Sequence, residues 1–426
     1  MKQIEVIAVF DIGKTNKKLF LYDFSLQVVF EKSVVLPEIV DEDNFPSEDI
    51  NALSCFVVNE LHAILEDPRY LVKGVNFSAY GASLVYLDQD GKVLTPLYNY
   101  LKPYPKYLQE KFYSQYGGEN KFSRSAASPV LGSLNSGMQL YRLKYEQPEI
   151  FKNVAHVLHL PQYLSWLITG KLYTELTSIG CHTNLWNFDK QTYQQWLSNE
   201  GVLTLLPEMV PSSSVVHLDY KGKDIAVGIG LHDSSSALIP YLKHRETNFM
   251  LLSTGTWCIS LNPFNHSPLT QEELKNDCLC FLQSNGNSVK AARYFGGQFH
   301  QELVKRIAAH FYVTIDEIVA YTYTDDEIQS LKKVYKGNDY LDTRNARVAY
   351  SMALEKLVAD QTISMKWVLQ HADVDEIVVD GGFAQNKLFM QLLGFHFQEK
   401  IIIASTTYQG SSLGAAMVLK EQVWKS

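Results

Sequence analysis

The 426 residues are 46% apolar, enough for two or three domains with a sizeable core, which argues against disorder and against a coiled coil. With 38 Lys and Arg against 46 Asp and Glu, the formal charge is −8 and no long basic run occurs. This argues against a nucleic-acid partner but leaves room for an anion held by backbone N–H groups.

No apolar stretch approaches the roughly 18 residues of a membrane helix, and residues 1–10 lack signal-peptide anatomy. A cytoplasmic chain with no membrane partner is therefore expected. Strands are expected at 5–10, 18–23 and 27–36, where apolar residues cluster. A helix is expected from 47 to 66, with Ser47 as N-cap and Glu48 and Asp49 in a first turn whose dipole favours acids. Further strands fall at 74–80 and 83–87, and Asp90-Gly91 has hairpin-turn chemistry. The middle of the chain is mostly helical. Segments 137–145 and 161–168 carry apolar residues three and four apart, and Gly170 suits the left-handed position after the second.

Residues 227–230 read as a short buried strand running into a helix from about Asp233. The pattern then restarts with an apolar strand at 248–253. A long helix is expected over 344–370. Strand 376–379, Asp380-Gly381-Gly382, helix 386–393, strand 400–404, Gly410 and helix 412–419 follow. The cysteines (Cys55, Cys181, Cys258, Cys278 and Cys280) are odd in number in a large chain, which argues against a disulfide framework. Cys278-x-Cys280 lacks a second pair at zinc spacing and reads as a strand feature.

Two strands end in similar turns. The first runs into Asp11-Ile12-Gly13-Lys14-Thr15-Asn16, the second into Thr254-Gly255-Thr256. A Gly turn with neighbouring hydroxyls can present N–H groups to phosphate oxygens, and Asp11 can hold magnesium through water. Taken singly, the first reads more readily as a hairpin turn with a solvated Asp. The pair, one per half, is the more specific signal. Asp380-Gly381-Gly382, with Asn386 near the next helix start, lets a flat base or ribose approach the backbone; a generic strand–helix turn would look the same. Gly228-Ile229-Gly230-Leu231-His232-Asp233 places a carboxylate at a strand–helix junction, where it can take a proton from a substrate hydroxyl or serve as an N-cap. The phosphate loop G-x-x-x-x-G-K-[ST], the G-x-S-x-G elbow and H-E-x-x-H are absent.

Five ordered segments together resemble the FGGY carbohydrate kinases: 11–18, 78–88, 228–241, 252–260, and 379–393 with 410–419. The rhamnulose- and fuculose-kinase branch is most similar. Asn135-Ser136-Gly137-Met138-Gln139-Leu140 resembles its N-T-L-Y-Q-L, His232-Asp233-Ser234-Ser235-Ser236 its H-D-T-A-S, and residues 253–257 its S-T-G-T-W. The resemblance implies an α/β fold of two related actin/hexokinase-like (ribonuclease H-like) domains flanking a catalytic cleft. Residues 1–244 would bind sugar and 245–426 nucleotide.

It implies ATP and Mg2+ as cofactors, a small ketose or deoxyketose as substrate, and Asp233 as general base. Asp11 would stand near the metal. Gly13, Thr15, Asn16 and Lys18 match the first phosphate loop, Gly255 and Thr256 the second, and Gly381, Gly382 and Asn386 the adenosine segment. Tyr80, Gly81, Ser83 and His232 fall at sugar-facing positions. A homodimer is compatible with the resemblance.

The sequence also departs from the family. Lys14 stands where a small or hydroxyl residue is usual, and either adds a phosphate contact or points to solvent. Tyr98-Asn99-Tyr100-Leu101-Lys102 replaces the common Y-R-D-x-R, which bears on the sugar rather than on phosphoryl transfer. The competing reading is a catalytically inactive sugar- or nucleotide-binding regulator of the same fold. It would keep the pocket and damage Asp233 or Asp11, both of which are intact.

Overall fold

The computed structural model describes residues 3–81, 83–255, 257–324, 326–328, 339–407 and 409–424. Two mixed sheets organise it. The first runs Val215–Tyr220, Lys223–Gly228, Tyr70–Ala79, Ile4–Ile12, Lys17–Tyr22, Val28–Val34, and Leu231–His232 adds to the end of Tyr70–Ala79. The second runs Cys278–Leu282, Ser288–Tyr294, Cys258–Asn262, Phe249–Thr254, Glu376–Gly381, Ile401–Ala404.

In each sheet one apolar strand ends in a Gly turn and doubles back antiparallel on one side. On the other side it runs parallel to a later strand. The restart of the sequence pattern at 248 is this repeat, and the two-domain α/β class expected from sequence is the one formed.

The opening strand shows why its sequence is a continuous apolar run. Val6, Ala8 and Phe10 face Leu53 and Val57 of the helix Ile50–Glu66. Ile7 and Val9 face Ala415 to Leu419 of the helix Gly410–Val423. A strand covered on both faces has no solvent side to fill with polar residues.

Two local expectations are corrected. The first helix begins at Ile50, capped by Asp49, whose carboxylate accepts the N–H groups of Asn51 (2.9 Å) and Ala52 (3.0 Å). Ser47 is not the cap: Pro46–Glu48 is a short strand paired with Glu38–Val40, and Glu48 is drawn inward to Lys17 and Tyr80. Asp90-Gly91 does form a tight turn, but it closes on a single bridge between Leu87 and Val93. Leu84–Leu87 pairs instead with His156–His159; Pro96, soon after the turn, has no N–H to extend a ladder. Among the described residues no helix is long and apolar enough to cross a membrane, and the five cysteines are free thiols.

Two helices exchange sides between the sheets. Asp233–His244 sends Leu238 and Tyr241 against Phe249 and Leu251 of the second sheet. Gly410–Val423, near the far end of the chain, covers the first sheet. It is tied there by Asn76 Nδ2 to Ala415 O (2.9 Å) and Tyr22 Oη to Ser412 Oγ (2.7 Å). Where the helices cross, Ser236 Oγ donates to Ser411 O (2.6 Å), and a Cβ on Gly414 would lie 1.9 Å from Ser236 O. No side-chain rearrangement relieves a clash with a backbone carbonyl. Gly414→Ala is therefore expected to cost about 1–3 kcal/mol or more, the range of an overpacked core. Urea denaturation checks this; a loss under about 0.5 kcal/mol would show that the crossing is loose.

Candidate active site

The crossing helices carry the chemistry to one place. Asp233 opens its helix. His232 occupies the cap position, so Asp233 sits in the first turn, where the dipole favours its negative charge. Its Oδ1 accepts the Ser234 N–H (2.6 Å) and Ser234 Oγ (3.2 Å), and lies 3.2 Å from His232 Nε2. The carboxylate faces a cavity of about 640 Å³ whose walls include Ser253, Asp380, Gly381, Gln385 and Ser411.

A second cavity of about 540 Å³ adjoins it at Gln385 and is lined by Gly255, Gly382, Phe383 and Asn386. Glycine is required at 381: φ is +86°, and a Cβ would lie 2.0 Å from Thr254 O. Thr254 Oγ1 donates to Asp380 O (2.5 Å) and accepts the Phe383 N–H (3.0 Å), which pins the two glycine loops together. Asn386 caps the helix Lys387–His396 and donates to Tyr350 Oη (2.7 Å).

Asp11 ends the opening strand. Ser411 Oγ donates to both of its carboxylate oxygens at 3.0 Å, bringing residues 400 positions apart together across the cleft. Burial pushes the Asp11 carboxyl up to about 6, against the hydrogen bond from Ser411, and the negative charge of Asp233 pushes it the same way. Lys18 stands directly across the strand pair from Asp11 and works against the rise. Burial also raises the Asp380 carboxyl, opposed by the Gly381 N–H and the Tyr241 hydroxyl.

Thr15 and Asn16 are exposed on the turn, while Lys14 pairs with Glu38 (2.6 Å) and so neither enters a cavity nor points freely to solvent. Gly13 closes the turn through its N–H to Asn16 O (3.0 Å). None of these lines either cavity; the turn meets the cleft through Asp11. Thr256 lies outside the described residues.

Tyr80, Gly81, Ser83 and His232 are buried, and His232 touches Asp233. The Tyr80 hydroxyl donates to Glu48, and Ser83 Oγ donates to Tyr98 O (3.0 Å). Gly81 lets the chain pass the His232 ring, where a Cβ would come within 2.7 Å of Cδ2. The His232 ring packs on Phe281 of the second sheet (5.3 Å between ring centroids), and the His232 backbone N–H donates to Thr177 Oγ1 (3.0 Å). Burial lowers its pKa, only partly countered by Asp233. It is thus a neutral ring supporting the carboxylate from below. In the altered segment, Asn99 donates to Pro46 O (3.0 Å), and Lys102 pairs with Asp41 (2.6 Å) and Asp43 (2.7 Å).

The sequence had signalled Asp380 and Ser411 only as neighbours of glycines. A hydroxyl at a helix start and an acid at a strand end were the available clues.

Two family models together match nearly the whole chain. The N-terminal domain of the FGGY family of carbohydrate kinases matches residues 6–239, and the FGGY C-terminal domain matches 246–426. A curated rhamnulokinase of Oceanobacillus iheyensis is 24% identical over 240 residues, 54% of this chain and 50% of that protein. The chain spans about half the length of the curated relatives it matches. Among solved structures, a carbohydrate kinase from Novosphingobium aromaticivorans superposes with a TM-score of 0.81 at 21% identity, covering 98% of this chain and 92% of that one. A Plasmodium falciparum glycerol kinase with ADP gives 0.76 at 17% identity, covering 100% and 91%.

Proposed function

The chain belongs to the FGGY family of carbohydrate kinases, and on that premise we propose that it transfers the γ-phosphoryl group of ATP to a hydroxyl of a ketose or deoxyketose of the rhamnulose or fuculose type. The observation that carries this reading is the single cavity lined at once by Asp233 and by Gly381, Gln385 and Ser411. A proton acceptor and the loop that would admit a nucleotide share one space. The relatives named rhamnulokinase support the sugar class, and the glycerol kinase solved with ADP supports the nucleotide.

Asp233 takes the proton of the sugar hydroxyl as that oxygen forms its bond to the γ-phosphorus; the bond to the bridging oxygen breaks and ADP leaves. The turn 14–16 offers backbone N–H groups to the phosphates, and Gly255, Gly382 and Asn386 flank the nucleotide. Residues 1–244 serve the sugar and 245–426 the nucleotide.

Among the described residues, Asp11 and Asp380 have no ion-pair partner, and Asp11 is burdened by Asp233. Asp233 and Asp380 line one cavity and Asp11 reaches it through Ser411, an acidic surround that suits a hard cation held partly through water. Magnesium would neutralise charge on the phosphates there, with Asp11 and Ser411 beside it. The regulator reading is disfavoured because both Asp233 and Asp11 are present.

A coupled ADP-release screen with ATP and Mg2+ over ketoses, deoxyketoses, aldoses and polyols tests the proposal. Acceptor-dependent ADP release from a ketose supports it; no release above the acceptor-free rate from any of them refutes it.

Asp11→Asn separates two effects of that carboxylate. It should weaken magnesium-dependent nucleotide use more than sugar binding, because the cation loses a negative neighbour. It should also stabilise the ligand-free protein at neutral pH. A carboxyl that titrates near 3.8 when unfolded and near 6 when folded makes the folded state lose stability as pH rises through that window. Removing the charge removes the loss. A magnesium titration of activity and a melting curve at pH 7.5 check both; unchanged magnesium dependence would take Asp11 out of the site.

A further inference from the structure

Resting on the kinase reading above, we propose that Lys17 and Glu48 are positioning residues that couple the sugar side of the cleft to the phosphate turn 13–16. Lys17 follows the turn immediately yet is only 2% exposed. It stands across the strand pair from Ile12, one residue out of step with Lys18 and Asp11, so the two lysines point to opposite faces. Its ammonium donates to the carbonyls of Gly13 (3.1 Å) and Lys14 (2.9 Å). Among the described residues no hydrogen bond is donated by the N–H groups of Lys14, Thr15 or Asn16. Lys17 therefore holds the turn by its carbonyls and leaves its N–H groups for an anion.

The network continues toward the sugar side. Lys17 forms an ion pair with Glu48, which is 3% exposed. The other Glu48 oxygen accepts the Tyr80 hydroxyl, and the Tyr80 ring meets Tyr100 edge-on at 5.7 Å. The Glu48 N–H donates to Leu97 O (3.2 Å), which fastens the same residue to the segment carrying Tyr98 to Lys102. Lys14 and Glu38 make a second tie between the turn and this short strand pair.

A buried charge pair cannot yield one partner without stranding the other, so its members move together or not at all. A sugar that orders Tyr80 and Tyr100 thereby orders the turn, and a nucleotide that orders the turn returns the same factor to the sugar. An ion pair serving stability alone would carry no such factor.

The test measures binding of AMP-PNP with Mg2+, with and without saturating rhamnulose or fuculose, whichever releases more ADP in the screen. In the wild type the sugar should tighten the analogue by about 5-fold or more. Tyr80→Phe, which removes one hydroxyl, and Lys17→Met should each bring that factor close to 1, while Lys17→Arg regains part of it. Tyr80→Phe keeps the test decisive if Lys17→Met does not fold. A wild-type factor of 1 overturns the coupling, as does an unchanged factor in folded Tyr80→Phe. A wild type that binds the analogue and the sugar but shows unchanged coupling in the variants sinks this inference alone. A wild type that binds neither sinks it together with the kinase reading.

Discussion

Asp233→Asn is expected to reduce turnover by about 100-fold or more, with the Michaelis constants for ATP and sugar within a few-fold of wild type. Loss of a positioned general base usually costs 10²- to 10⁴-fold. The amide matches the carboxylate in shape and retains an oxygen for the Ser234 N–H, so the first turn of its helix should survive. The neutral His232 ring below it makes no ion pair that the change would break. What disappears is the negative oxygen that receives the hydroxyl proton at the cavity wall. Steady-state kinetics with the preferred sugar checks this. Turnover within 10-fold of wild type would mean that the proton leaves by another route and that Asp233 only shapes the cavity.

The central strands Ile4–Ile12, Tyr70–Ala79 and Phe249–Thr254 were legible because they are largely buried apolar runs, and the turns because their glycines sit at strand ends. Asp233 and the loop 380–382 drew attention for the same reason, an acid or a glycine at a strand–helix junction, although a helix cap or a plain turn has the same sequence. Long-range partners were not legible. Nothing near Asp11 points to Ser411, because the helix that carries it crosses from the other half of the chain. The Lys17–Lys18 pair shows the limit sharply. Strand alternation requires that the two lysines point to opposite faces of the sheet, but only the register says that Lys18 shares the Asp11 face and Lys17 the Ile12 face. The first helix was begun too early for a related reason. Ser47, Glu48 and Asp49 are all good helix-start residues, and the choice fell to the buried partners waiting for Glu48. His232 was read as facing the sugar because it adjoins Asp233; the fold adds contacts the sequence did not signal, Phe281 against its ring and Asp233 Oδ1 at 3.2 Å from its Nε2.

The largest stability effect is expected away from the cleft, at Lys290. This residue lies within the strand Ser288–Tyr294 and is 0% exposed; its partner Glu273 is 1% exposed. The ammonium is 2.5 Å from Glu273 Oε1 and 2.7 Å from Ser267 Oγ. The second Glu273 oxygen accepts the Thr270 N–H (2.7 Å), completing the capping box of the helix Gln271–Lys275. Lys290→Met fits the hydrocarbon stem but leaves a buried carboxylate without its cation. Removing one partner of a buried pair costs about 3–5 kcal/mol, because the remaining charge keeps its desolvation penalty and loses its compensation. Adding Glu273→Leu removes that stranded charge, so the double variant should recover much of the loss. It should still fall short of wild type by about 0.5–2 kcal/mol for the missing cap. Urea denaturation of the two variants and the wild type measures all three quantities. The Michaelis constants should stay unchanged, since the whole strand Cys258–Asn262 separates this pair from the strand that ends at the glycine turn. A single variant that loses less than about 1 kcal/mol would mean that water or a shifted backbone reaches Glu273. In that case the second domain is less tightly closed around its polar core than the burial of these two residues implies.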